Sequence, residues 1–201
     1  MAAFRELIVK RSGLDARKDQ NKSMDWFREK ALQIKKVNTA ALIDTSEPFK
    51  RVVTLSETSI GKMYMFTYDA KLKHKLPFWD VYPLIFPINY YGDSFLGINL
   101  HYLSIHPRIA LLDALMTETI NNDKMNKTTK LKISYEILNG SAQLSAFKPC
   151  VKKYLFDHVK SNFLYISPDE WWLAASLPTQ RFVSEQGGRS QTTVSSTRVW
   201  D

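Results

Sequence analysis

The chain has few of the features that mark secreted proteins, membrane proteins and enzymes. Its 201 residues include one cysteine, Cys150, so no internal disulfide can form and assembly inside a cell is the expectation. We interpret Cys150 as a small buried side chain rather than a reactive thiol. No apolar run approaches the roughly 18 residues of a membrane span. The apolar patch near the N-terminus is also too short for the core of a signal peptide.

Sequence motifs of catalysis are missing as well. The chain contains no GxxxxGK[ST], GxGxxG, GxSxG or HExxH. His101 and His106 do not have the spacing of a metal-binding pair, and the single cysteine is distant in sequence. Asp69 and Asp80 lie at the ends of predicted strands without the signature of a metal-dependent nuclease. We therefore predict a protein that is not an enzyme and has no catalytic residues, metal or cofactor; a nuclease is the least favoured hypothesis.

Positive charge is abundant but unevenly placed. The net charge is +8. Residues 1–40 carry ten Lys/Arg against five Asp/Glu, and residues 124–160 carry eight against two, for net charges of +5 and +6. The central residues 77–123 carry one against five, for a net charge of −4. Basic regions attract nucleic-acid phosphates, but they also dock on acidic protein surfaces, so charge alone leaves both partners open.

The N-terminal part predicts a polar arm followed by an amphipathic helix. Residues 1–22 are rich in charged and amide side chains and are interpreted as a flexible arm. Ser23 is the expected N-cap. Over residues 24–37, apolar side chains recur at spacings of three and four, the pattern of a helix with one buried face. The opposite face is basic and is a candidate contact surface for DNA or an acidic partner; it carries Arg28, Lys30, Lys35 and Lys36.

The centre of the chain predicts a sheet. Residues 62–69 alternate in the period-two pattern of a strand. Residues 81–91 are apolar but contain Pro83 and Pro87, which predicts an edge strand or a strand with bulges. A turn at 91–94 leads into a returning strand, where Gly97 indicates a bulge or a close backbone approach. We expect a small twisted antiparallel sheet or an SH3-like barrel over about 62–103.

The rest of the chain predicts a C-terminal group of helices over about 105–175. The expected start and stop signals are Ser104 and Asn121-Asn122 for the first helix, Thr128 or Thr129 and Asn139-Gly140 for the second, Pro149 for the start of the third, and Ser167-Pro168 for the start of a short fourth helix. The fold class is therefore α+β, with one domain over 23–183. We interpret residues 184–201 as a polar, flexible tail, in which Trp200 is a candidate anchor on a partner.

Three parts of the sequence resemble a known family. They are MYMFTYDAKLKHKLPFWDVYPLIFPI at 63–88, FLGINLHYLSIHPRIALLDAL at 95–115, and AFKPCVKKYL at 146–155 with LPTQRF at 177–182. Members of the family share the pattern YDAKxKxxLPFxDxxPL, then FxGxNLHYL, FKPxxKxYL and LPTxRF. By these motifs the chain is similar to the DNA end protector, or head-completion, proteins of T-even-like contractile-tailed bacteriophages.

The resemblance implies a virion protein, assembled in the host cytoplasm, that binds the packaged DNA terminus. It would protect that terminus from host exonuclease and help to complete the head before tail joining. Partners would be double-stranded DNA ends and other phage structural proteins, with no membrane. An alternative is a structural connector of the neck, tail or baseplate without a direct DNA role. The candidate contacts to DNA or an acidic partner, from this resemblance and from the basic helix, are Arg28, Lys35, Lys36, Lys71, Lys73, His74, Lys75, Lys148, Lys152 and Lys153.

Overall fold

The computed structural model describes residues 13–43, 59–71 and 79–179, and a long helix comes first among them. Helix α1, Gly13–Ile43, buries Trp26, Phe27 and Ile34. The prediction that Ser23 caps this helix is wrong, because Ser23 lies in its interior and its hydroxyl donates to the Asp19 carbonyl at 2.8 Å. Arg17, Lys18, Gln20 and Lys22, which precede Ser23, are good helix formers, so the helix extends beyond its buried part.

Five strands form one antiparallel sheet, and the predicted α+β class is confirmed. The strands are β1 (Met63–Met65), β2 (Leu84–Tyr91), β3 (Ser94–Asn99), β4 (Val151–Leu155) and β5 (Leu164–Ile166). Their spatial order is β4-β3-β2-β1-β5. Among the described strands, β4 and β5 are the two edges and do not pair with each other, which is the arrangement of an open sheet. Strand β1 is shorter than predicted, and beyond it an isolated bridge joins Tyr68 to Val159.

Strand β2 lies inside the sheet, so the prediction of an edge strand is wrong. The alternative prediction, a bulge, is confirmed: the register against β3 shifts between Pro87 and Asn89. Pro87 has no N–H to donate, and the bulge accommodates this missing donor in an internal strand. Pro83 precedes the strand and does not interrupt its ladder. The predicted turn between β2 and β3 is confirmed at Gly92-Asp93.

The predicted third helix, from Pro149, is wrong. Pro149 lies in a single 3-10 turn, Lys148–Cys150, and the chain then continues as strand β4. Spacings of four between Val151, Leu155 and Val159 resemble a helix stripe, but the outer edge of β3 offers unpaired backbone groups that β4 satisfies. Because β4 is a strand, Lys152 and Lys153 point to opposite faces of the sheet.

Four α-helices are present in the described residues, and α1 is followed by three shorter ones. They are α2 (Ile105–Leu115, continued by a π turn to Ile120), α3 (Lys127–Gln143) and α4 (Trp171–Ser176). The predicted starts at Ser104 and after Ser167 are confirmed. The predicted stop at Asn139-Gly140 is wrong, because α3 continues to Gln143; a helix tolerates an interior glycine at a cost of about 1 kcal/mol. None of the helices in the described ranges is long and apolar enough to cross a membrane.

The two faces of the sheet are covered differently. One face packs under the helices in the larger core, where Met65, Phe86, Ile98 and Trp171 are fully buried. The other face carries a smaller, mainly aromatic core, to which the described α-helices contribute no residue. Its buried members are Phe66, Ile85, Phe95, Tyr154 and Val159. Strand β4 contributes to both cores, since Val151 packs against the larger one and Tyr154 belongs to the smaller one.

Candidate nucleic-acid interface

A buried polar network lies where the segments that carry the family resemblance meet. Asp80 Oδ2 lies 2.6 Å from His101 Nδ1 and accepts a hydrogen bond from Asn99 Nδ2 at 3.1 Å. The same amide lies 3.1 Å from the Tyr154 hydroxyl. Asp80 Oδ1 accepts the backbone N–H of Tyr82 at 3.1 Å. An ionised carboxylate only accepts hydrogen bonds, so the proton between Asp80 and His101 belongs to Nδ1. The network joins the loop before β2 to strands β3 and β4.

Two of the predicted contact residues lie on tyrosines beside this network. The Lys35 ammonium of α1 is 5.8 Å from the centre of the Tyr82 ring. The Lys152 ammonium of β4 is 5.5 Å from the centre of the Tyr102 ring. Both distances are within the range of cation–π attraction. The structure therefore places Lys35 and Lys152, which are distant in sequence, on tyrosines next to the same buried network.

Burial shifts the pKa values of several side chains beside this network. It lowers the pKa of the Lys152 ammonium to about 8, since the half-buried site disfavours the charged form. Burial, with the nearby Asp80 carboxylate, raises the pKa of Tyr102 well above its ordinary value. Burial also raises the pKa of the Cys150 thiol to about 11, which agrees with the interpretation of Cys150 as an inert buried side chain.

The other two lysines of the FKPCVKKYL segment are exposed. Lys148 lies in the 3-10 turn before β4, and Lys153 lies in the strand with its ammonium 5.6 Å from the centre of the Tyr91 ring. The Asp93 carboxylate is near: the Ser94 hydroxyl donates to it at 2.7 Å, and this bond, with Lys153, lowers the pKa of Asp93. The β4 edge thus presents several cations beside aromatic rings.

The basic face of α1 is partly neutralised by acids. Arg28 pairs with Asp25 of the same helix at 3.1 Å, in an exposed position where an ion pair contributes little. Lys30 pairs with Glu170 at 2.7 Å, and the Trp26 indole N–H donates to the same Glu170 oxygen at 2.9 Å. Glu170 therefore fastens α1 to the start of α4, and Lys30 serves this attachment.

The remaining predicted contact residues are only partly described. Lys71 is exposed in the turn after the Tyr68 bridge. Lys36 belongs to α1, but its side chain lies outside the described part. The predicted contacts Lys73, His74 and Lys75 and the predicted anchor Trp200 also lie outside the described residues.

Arg108 is a structural residue that sequence reasoning missed. Its guanidinium is fully buried and donates to the Leu103 carbonyl at 2.6 and 3.1 Å and to the Leu177 carbonyl at 2.6 Å, with longer contacts to Ala174 and Ala175. Burial lowers the pKa of Arg108. The arginine thereby satisfies carbonyls at the end of α4, which otherwise have no helical partner. The one signal in the sequence is that Arg108 is the only Lys or Arg of 77–123.

Within residues 13–43, 59–71 and 79–179, no group of three or more His, Cys, Asp or Glu side chains is placed to hold a metal ion. The buried Asp80–His101 pair lies among Phe27, Asn99 and Tyr154, with the Phe27 ring edge-on at 4.9 Å from the His101 ring centre. Such packing fits a structural role, in which the pair fixes the positions of β3, β4 and α1.

The comparison with protein families decides the identity. The family model described as phage T4 terminal DNA protecting protein matches residues 1–201. The chain belongs to this family. No curated protein and no solved structure matches the chain significantly. The resemblance seen in the sequence motifs is confirmed, and with it the class of function: the family is one of bacteriophage proteins that protect a DNA terminus.

Proposed function

We propose that this member of the terminal DNA protecting family shields a duplex end by occupying it, without catalysis. The β4 edge supports this mechanism because it offers Lys148, Lys152 and Lys153 in one short segment, with aromatic rings beside two of them. Cations of this kind hold DNA through phosphates, independently of sequence. Bound protein at the terminus denies an exonuclease its substrate.

The basic face of α1 extends the proposed contact surface. Lys35 lies over Tyr82, next to the Asp80 network that also supports β4. Helix α1 and the β4 edge are held by the same buried network, so the two contact surfaces are already in place before DNA binds. Binding then avoids the entropy loss of ordering these segments on the DNA. Lys36, Lys71, Lys73, His74 and Lys75 are proposed as further phosphate contacts.

The proposal includes a place in the particle. Protection of a packaged terminus requires the protein to be in the virion, near the site where the head is completed and joined to the tail. Other structural proteins of the phage are the proposed partners there, and Trp200 is the proposed anchor on one of them. Residues 23–183 are the proposed single domain that carries the DNA contacts.

The test compares a blunt linear duplex with a closed circle of equal length, across a series of salt concentrations and with an exonuclease challenge. We expect tighter, salt-sensitive binding to the linear duplex, with protection from digestion. Equal weak binding to both, without protection, would contradict the proposal and leave a structural connector whose charges serve protein partners.

A pair of variants with equal charge localises the contact. Replacing Lys148, Lys152 and Lys153 by Gln should reduce the slope of log affinity against log salt by roughly 0.9 for each phosphate that the variant no longer neutralises. The control replaces three other exposed lysines by Gln and has the same net charge: Lys124, which precedes α3, and Lys127 and Lys132 of α3. If both triple variants show the same reduction in affinity, the β4 edge is not the contact.

A further inference from the structure

A cleft opens beside the β4 edge, on the helix-covered side of the sheet. It lies between the end of α3, the 3-10 turn before β4, and strands β2 and β3, and its volume is about 390 Å³. Ile88, Leu96 and Val151 give it an aliphatic floor. This volume is at the lower end of the range for sites that take small ligands, and is far too small for a duplex.

Most of the polar side chains that line the cleft are of one chemical kind. Three side chains that line it are carboxamides, namely Asn89, Asn139 and Gln143. Asn139 and Gln143 offer donors and an acceptor together, the combination that pairs with the edge of a nucleobase, whereas Asn89 Oδ1 already accepts the Tyr90 backbone N–H at 2.9 Å. Among the described residues that line the cleft, Lys148 is the one cation and none is a carboxylate. Such a site accepts a neutral base and an anionic phosphate.

An aromatic wall completes the cleft. Tyr91 lines it with 46% of its surface exposed, and the Lys153 ammonium lies 5.6 Å from the ring centre. The Tyr91 hydroxyl is also 3.5 Å from the Asn89 amide nitrogen, so the wall and a carboxamide are adjacent. An exposed ring next to cations is the arrangement on which unpaired bases stack in proteins that bind single strands.

We propose that this cleft binds one unpaired nucleotide at the DNA terminus. The base stacks on Tyr91, the carboxamides contact its edge, and Lys148 contacts its phosphate. Taking a base from the end of a duplex is cheapest where pairing is already frayed or absent, so an overhanging nucleotide is the preferred ligand. The inference rests on the proposed function, and it adds that the protein recognises an end by a frayed or unpaired nucleotide, which the interior of a duplex and a closed circle do not offer.

The experiment uses the full-length protein and duplexes with a single 3′ overhanging 2-aminopurine, against blunt duplexes with 2-aminopurine at an internal position. We expect binding to change the fluorescence of the overhanging base and not of the internal base. The overhang should bind more tightly than the blunt end. Tyr91→Leu should remove the fluorescence change and most of the preference for the overhang. Because one stacking interaction is lost, the affinity for the overhang should fall by about five- to a hundredfold.

A matched control is available on the other edge of the sheet. Tyr165 of β5 is 48% exposed and does not line the cleft, so Tyr165→Leu should retain both the fluorescence change and the preference. If ends are bound but the overhanging base does not respond, or responds equally in Tyr91→Leu, the cleft inference is overturned and the proposed function stands. If neither type of end is bound, both are overturned.

Discussion

Asp80 Oδ2 and His101 Nδ1 are 2.6 Å apart, and both side chains are buried. The pair joins the loop before β2 to the 3-10 turn Leu100–Tyr102 that follows β3. Asn99 and Tyr154 extend it into β4. The candidate contact surface is therefore positioned by a polar network in the core rather than by residues of the surface itself.

Asp80→Ala should destabilise the protein strongly. The substitution leaves the buried partners Asn99 and His101 without their carboxylate acceptor, and each buried donor left unsatisfied costs about 1–3 kcal/mol. The measurement is the free energy of unfolding from urea titration. Asp123→Ala, at an exposed position outside the network, should keep the wild-type midpoint; a similar loss in both variants would show that the network contributes nothing specific.

Arg108→Met should also lower the free energy of unfolding, by roughly 3 kcal/mol or more, since it removes the guanidinium donors from the buried carbonyls of Leu103 and Leu177. Arg108→Lys should not restore stability, because a single ammonium cannot span the two carbonyls as the planar guanidinium does. His106→Ala, exposed on the same helix, is the control for urea titration. Wild-type stability in Arg108→Lys would disprove the bridging role.

Lys152 should make DNA-end binding depend on pH. With a folded pKa of about 8, its ammonium is largely charged at pH 7 and largely neutral at pH 9. Affinity for a duplex end should therefore fall over this interval, and the salt slope should become shallower by about 0.9. Lys152→Arg stays charged and should abolish the fall, whereas Lys153→Arg should leave it unchanged. The same fall in Lys152→Arg would assign the titration to another group.

The same shift affects stability in the opposite direction. The ordinary pKa of lysine is 10.5, above the folded pKa of Lys152. Between these values the unfolded chain binds more protons than the folded protein, so this residue's contribution to the free energy of unfolding rises with pH. Deprotonation of Lys152 therefore does not destabilise the fold at pH 9, and it cannot explain a loss of end binding through unfolding. Circular dichroism at pH 7 and pH 9 checks that the protein stays folded.

Two glycines should respond oppositely to alanine. A Cβ at Gly97 would lie 3.0 Å from Ile85 Cδ1 and 3.3 Å from the Phe86 carbonyl oxygen, so Gly97→Ala should destabilise by about 1–3 kcal/mol. Gly140 lies within helix α3 with nothing within 4 Å of such a Cβ, so Gly140→Ala should stabilise by about 1 kcal/mol. Thermal unfolding measures the stability of both variants. A loss of stability in Gly140→Ala would contradict the placement of Gly140 within a helix with free space around it.

The elements that could be predicted are those whose signals are local. The spacing of apolar residues predicts the buried stripe of α1, and Gly92-Asp93 predicts the turn between β2 and β3. Serine and proline predict the starts of α2 and α4. Strand β4 could not be predicted in the same way, because its apolar spacing fits a helix equally well and only the open edge of β3 selects the strand.

The family, the α+β class and the concentration of lysines in FKPCVKKYL follow from the sequence, because motifs, periodicity and charge are properties of the chain alone. The folded structure was needed to show that Pro87 is accommodated by a bulge in an internal strand, and that Asp80, Asn99 and His101 form one network. It also decided that Lys35 and Lys152 share that support, and that Tyr91 faces a cleft. These relationships join residues that are distant along the chain, and such contacts arise only when strands pair and helices pack.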